Sequence, residues 1–169
     1  MLKLAYLIPI PGPTHHKLPW YGRKRSLPAY RFVPGLYPHP TRDPSGHSYQ
    51  ITSIKEDPLW VPDQWKTLEG YLHGVDLFNR FYFWEAHESW KTLWTTQPHD
   101  SEASRFIQGL ISVTASFLKL HMTEASSAWR LWLAASNHLG PFIGKHWMGI
   151  DVETLLKDVD NYLLPVKKG

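Results

Sequence analysis

Apolar side chains follow two regimes along this chain, and the change comes near residue 61. Before it they are scattered among most of the fourteen prolines without a helical period, which predicts an irregular or extended arm over residues 1–61. After it they recur every three or four positions, the mark of helices with one buried face. A first helix is expected from near Pro62-Asp63, with Asp63 as N-cap, through Trp65, Leu68, Leu72 and Val75 to about Phe78. Gly70 and Gly74, four apart, would let another backbone approach it closely. Asn79-Arg80 reads as the following turn, because Asn tolerates the left-handed conformation that ends helices.

A second helix is expected over about Phe81 to Thr95 and a third from near Ser101, with Glu102 in its first turn. In the third, Phe106, Ile107, Leu110, Ile111, Thr114, Phe117, Leu118 and His121 repeat at helical spacing. A fourth, about Thr123 to Leu139, stops at Gly140-Pro141, and a fifth, about Asp151 to Leu163, opens on a capping Asp. No alternating strand pattern of useful length occurs. The expected fold class is therefore all-α: a compact bundle of about five helices over residues 62–164. The Pro-rich arm is expected to pack against it and not to form a domain of its own.

Composition narrows the chemistry. Nine Trp, eight Tyr and seven Phe supply large buried areas, so a small helical core suffices despite the prolines. The absence of cysteine removes disulfides, thiol catalysis and thiolate zinc sites, and agrees with a cytoplasmic setting. The apolar start, Leu2 to Ile10, is cut by Pro9, Pro11 and Pro13, and no run approaches the roughly 18 residues of a membrane span. Neither a signal peptide nor a membrane partner is expected. Charge is uneven: residues 1–57 balance to +5, through Lys3, Lys17, Arg23, Lys24, Arg25, Arg31, Arg42 and Lys55 against Asp43, Glu56 and Asp57. The remainder balances to −2. Without a longer basic run the arm reads as a solvated tail, and nucleic acid is not the expected partner.

Candidate chemistry concentrates in the second helix, where ionisable groups sit inside a strongly apolar pattern. At about 100° per residue, Phe83, Ala86, His87, Trp90, Leu93 and Trp94 share an arc of about 120°. Lys91 lies at its margin, and Glu85, Glu88 and Thr92 point largely away. His87 is thus placed on the packed side, with the glutamates on a wet side or in a groove. The ordinary roles are a core histidine bonded to a carbonyl or carboxylate, and acids that favour a helix's first turns. The functional reading makes His87, Glu88 and Glu85 catalytic, with His87 as base and a glutamate orienting it. A zinc-protease helix needs a second His four residues after the first, and that position holds Lys91, so no metal site is expected.

The blocks Leu77-Phe78-Asn79, Tyr82-Phe83-Trp84-Glu85-Ala86-His87-Glu88 and Trp90-Lys91-Thr92-Leu93-Trp94, followed by Phe106-Ile107-Gln108-Gly109-Leu110-Ile111, resemble an uncharacterised prokaryotic family. That family is domain of unknown function family 309. The arm is similar to that of longer members in Tyr30-Arg31-Phe32-Val33-Pro34-Gly35, Pro38-His39-Pro40 and Asp43-Pro44-Ser45-Gly46-His47-Ser48. The likeness covers roughly residues 28–140. It implies a helical bundle and names no activity or cofactor. The family usually carries a glutamate four residues after the histidine, where this chain has Lys91, so a cation site of the family would be lost or rewired here.

Two function classes follow. In the first, His39, Asp43 and His47, four residues apart on the arm, close a pocket over Glu85, His87 and Glu88, with Gln108 as a further binding candidate. This would suit small-molecule binding or hydrolase-like acid/base chemistry; the plainer role for the arm is a packing strap. In the second, the chain is a non-enzymatic interaction module whose aromatic groove, with Trp129, Trp132, Phe142 and Trp147 as core or as exposed patch, takes a protein partner. The expectation that parts them is whether Glu85, His87 and His47 or His39 share one pocket.

Overall fold

The computed structural model describes residues 18–23, 26–52 and 60–167. The apolar start and the charges on Lys3, Lys17, Lys24, Arg25, Lys55, Glu56 and Asp57 fall outside the described residues. A 3-10 turn, Pro62–Thr67, leads into five α-helices: α1 Glu69–Asn79, α2 Phe83–Trp94, α3 Glu102–His121, α4 Ala125–Leu139 and α5 Val152–Lys167. Before α5 lie a 3-10 turn at Gly140–Phe142 and a two-stranded antiparallel hairpin, β1 His146–Trp147 with β2 Ile150–Asp151. The fold is thus all-α apart from this hairpin. Strands of two residues show no alternation of apolar and polar positions, so the sequence pattern carries no sign of this hairpin. Its turn is made by Met148 and Gly149, both at positive φ, the conformation that suits the twist of a two-residue hairpin loop.

Helix boundaries differ from expectation in instructive places. The expected first helix is broken at Leu68, whose extended ψ of 94° separates the Pro62–Thr67 turn from α1. Asp63 consequently sits in the first turn and Val61 takes the capping position. The left-handed residue between α1 and α2 is Phe81, at φ 66°, rather than Asn79, which completes α1. Ser101 caps α3 by accepting the Ser104 N–H at 3.0 Å, and Asp151 accepts the Thr154 N–H at 3.1 Å as the expected cap of α5.

Helix α3 lies between α2 and α4, and α1 and α5 complete the bundle against α2 and α4. Phe106, Ile107, Leu110, Val113, Phe117 and Leu120 form its buried stripe. Phe83, Ala86, Trp90 and Leu93 of α2 meet it, with Phe83 stacked on Phe117 at 5.1 Å between ring centroids. Gly74 does receive a close neighbour, but it is the Trp90 indole rather than a backbone: any Cβ at position 74 would collide with that ring. The indole N–H donates to the Tyr71 carbonyl at 3.0 Å. Trp132 and Phe142 are core, and Trp129 and Trp147 pack half-buried against it, so these four aromatics do not make an exposed patch. Among the described residues no helix is long and apolar enough to cross a membrane.

The arm is fastened to α1 and α2 by buried polar contacts. Asp76, fully buried, accepts the backbone N–H groups of Tyr21 and Gly22, both at 2.9 Å. Four residues on, Arg80 lies 3.6 Å from the same carboxylate and donates to the carbonyls of Leu18 and Pro19. Its guanidinium also lies 3.8 Å from the centre of the Trp20 ring. Charge buried in this way is tolerable only when paired and hydrogen-bonded. Here the partner groups are supplied by the arm, where proline leaves carbonyls without a helical partner.

Candidate functional site

The second attachment of the arm is also the candidate site. Glu85 stands in the first turn of α2 and points toward the arm instead of toward solvent: its side chain is 6% exposed. Of the two environments the helical wheel left open for Glu85, a wet side or a groove, the structure has the groove. A wheel built on one helix has no knowledge of chain folding back from residues 26–52. Glu85 Oε1 accepts the Phe32 backbone N–H and faces His47 Nε2, both at 2.9 Å. Its Oε2 is buried and has no hydrogen-bond partner among the described residues.

His47 is held from four directions. Its ring lies against Tyr30 at 4.6 Å, its backbone N–H donates to the Tyr30 hydroxyl, and Nδ1 is 2.7 Å from Ser48 Oγ. With Nε2 carrying the proton and donating to Glu85, Nδ1 takes the Ser48 O–H, which assigns one tautomer to the pair. The His47 side chain is 4% exposed. The loop that carries it closes through the Ser48 N–H to the Pro40 carbonyl at 3.0 Å. Gly46 makes this closure possible, since a Cβ there would overlap the carbonyls of His39 and Pro40. Tyr30 in turn stacks on Tyr37 and donates to the Pro38 carbonyl at 2.7 Å.

The other candidates are distributed around this pair. Asp43 accepts the N–H and O–H of Ser45 at 2.9 and 2.6 Å, which holds its carboxyl below the usual range and shapes the loop rather than a pocket. His39 packs on Phe32 and Trp84, and its Nδ1 is 3.4 Å from the Thr41 amide. His87 does not share a pocket with Glu85 and His47: it stands half-exposed with Nδ1 3.2 Å from Glu88 Oε1, and Lys91 Nζ lies 3.5 Å from the same oxygen. The expected grouping of helix histidine and arm histidines is therefore corrected to Glu85 with His47. Position 87 is turned out of the core by the same rotation that places Glu85 under the arm. Gln108 lies on α3, and neither cavity described for this protein includes it.

Between the arm and α1–α2 runs a cleft of about 630 Å³. Its polar lining includes His47, Ser48, His73, Glu85, Glu88 and Ser89. Ser48, His73 and Ser89 were not among the sequence candidates; single polar residues of this kind carry no spacing signal. Burial raises the pKa of Glu85, and the hydrogen bonds from Phe32 and His47 pull it back. Glu88, at the cleft's rim, is lowered by the His87 hydrogen bond first and by Lys91 as well, against a smaller desolvation effect. The two glutamates thus titrate apart, the arrangement that lets one carboxyl hold a proton while the other stays ionised. Among the described residues no three His, Asp or Glu side chains converge as metal ligands would.

No curated protein and no solved structure matches this chain. The family model described as Domain of unknown function (DUF309) matches residues 71–131, a span that holds α2 with Glu85, His87 and Glu88 and the Gln108 block but not the His47 loop. It is to that family, through α1–α3 and the start of α4, that this protein is similar.

Proposed function

We propose that this protein binds a small polar molecule in the cleft between the arm and α2, and that Glu85 and His47 exchange a proton with it. The observation that carries the reading is the carboxyl of Glu85, a cleft-lining residue: one oxygen accepts two hydrogen bonds, while the other is buried with no partner among the described residues. A buried carboxyl oxygen without a donor costs about 1–3 kcal/mol, so a ligand N–H or O–H at that point is favoured. Glu88 at the rim adds negative charge, which selects an amine or a polyol over an acid. The reaction class supported is acid/base chemistry on such a molecule, with Glu85 as the group that holds the proton and His47 as its partner.

The test is amide chemical-shift mapping of the full chain with n-propylamine, n-propanol and propionate as size-matched probes. Saturable shifts at Ser48, His73 and Ser89 with the amine or the alcohol, absent with propionate, are expected. Glu85→Gln should weaken that binding about tenfold or more. Equal response to all three probes, or binding unchanged in Glu85→Gln, would refute the assignment.

A further inference from the structure

On the other face of α1 lies a second cavity, of about 260 Å³, sharing no lining residue with the arm cleft. Its walls are Trp65, Tyr71, Phe78 and Trp90, and its depth is set by Leu110 and Val113 of α3, both almost fully buried. The polar atoms of two of these rings are already committed: the Tyr71 hydroxyl donates to the Met148 carbonyl at 2.8 Å, and the Trp90 N–H to Tyr71. Water in a cavity needs two to four polar partners, and these walls offer few. Transfer of apolar surface into such a site is favourable. An apolar cavity of about 150 Å³ accepts benzene, so one of this size accommodates a bicyclic ring. Aromatic walls favour flat aromatic occupants through offset and edge contacts. In the same wall sits the Asn79 carboxamide, which makes no hydrogen bond among the described residues. Trp65 in the cavity wall is carried on the short Pro62–Thr67 3-10 turn and seated against Gly149 of the hairpin turn. Short 3-10 segments have weaker hydrogen-bond geometry than α-helices and yield more readily.

We infer that this cavity is a binding site for a small flat aromatic molecule of about two fused rings carrying one hydrogen-bonding group, which Asn79 holds. The site is independent of the arm cleft and of any chemistry there.

Indole and naphthalene serve as probes, with methyl-labelled full-length protein observed by NMR. Saturable shifts and ring-to-methyl contacts at Leu110, Val113 and Ile150 are expected with both, and n-propylamine should leave these methyls unmoved. Val75→Phe, which adds a ring from the partly buried wall, should weaken both probes about tenfold or more. Asn79→Leu, on a half-exposed position, should weaken indole about tenfold while leaving naphthalene within about twofold. No saturable shift up to the solubility limit of indole would overturn the inference, as would a folded Val75→Phe that binds like wild type. If Val75→Phe does not fold, Asn79→Leu decides: indole and naphthalene changing in parallel, or neither changing, overturns it.

Discussion

The two sides of α2 are held by different forces. Toward α3, Phe83, Ala86, Trp90 and Leu93 bury apolar surface against Phe117 and its neighbours, a contact that depends on shape and hardly on pH. Toward the arm, α2 and the neighbouring α1 add buried polar atoms to the Phe32–Trp84 ring contact: Asp76 and Arg80 from α1 at one end, Glu85 with His47 at the other. Apolar burial is non-directional and spread over many contacts, whereas a buried hydrogen bond is either satisfied or costly. The bundle face should therefore respond to volume and the arm face to charge and protonation.

Trp90→Ala is expected to have the largest effect, about 3–5 kcal/mol in denaturant unfolding, because it empties the notch made by Gly74 and orphans the Tyr71 carbonyl contact. Trp94→Ala should cost less, since that ring is only partly buried. Asp76→Ala is close behind, at about 3–5 kcal/mol, because Arg80 is left buried without its counter-charge. Its signature should be faster hydrogen exchange at Tyr21 and Gly22. If the loss appears only in α3 and α4 amides, the division between the two faces fails.

Two pH effects of opposite sign sharpen the comparison. Glu85 has its pKa raised in the folded state, so the folded protein holds that proton more tightly than the unfolded chain. Its contribution is fully present below the unfolded value and is lost as pH rises through the raised folded value. Glu85→Gln should leave stability at low pH nearly unchanged, because both side chains are then neutral acceptors for Phe32 and His47, and should gain on wild type as pH rises through that window in thermal melts. His121, at the end of α3, is lowered to about 4 by burial first and by the charge of Arg31 on the arm. It stays neutral in the fold while the unfolded chain takes up a proton near 6.5, so stability is lost as pH falls from 6.5 toward 4. Melts of His121→Phe against wild type across that range should flatten this limb. A wild-type limb that persists unchanged in the variant would show that other groups carry it.

The smallest effect is expected at Glu88. Its side chain is 40% exposed and its partners His87 and Lys91 are also solvated, so Glu88→Gln should stay within about 0.5 kcal/mol of wild type by thermal melting. A larger loss would mean that the rim of the cleft is as tightly coupled as its interior.

Much of this organisation was legible along the chain. Helical periodicity placed α2 to α5 to within about two residues at their starts, and the cap at Asp151 was readable because an N-cap is a local hydrogen bond. The motif Glu85-Ala86-His87-Glu88 lies in the first two turns of α2, and the matched family span contains it. Its internal geometry was not readable. Which of Glu85 and His87 faces the interior depends on what covers each side, and the cover for Glu85 comes from chain 38 residues away. Asp76 and Arg80 stand four residues apart, and their role as the arm's anchor lies in backbone groups of residues 18–22 that no side-chain pattern reports.

The sequence by itself determined the helical class, the aromatic core and the position of the charged turn, because periodicity, capping and volume act over one or two helical turns. Only the tertiary structure decided that Glu85 pairs with His47 rather than with His87, and that α1 separates a polar cleft from an apolar cavity. The physical reason is that burial is a property of the whole chain: the Glu85 carboxyl has its proton affinity raised and its partners set because a distant segment closes over it.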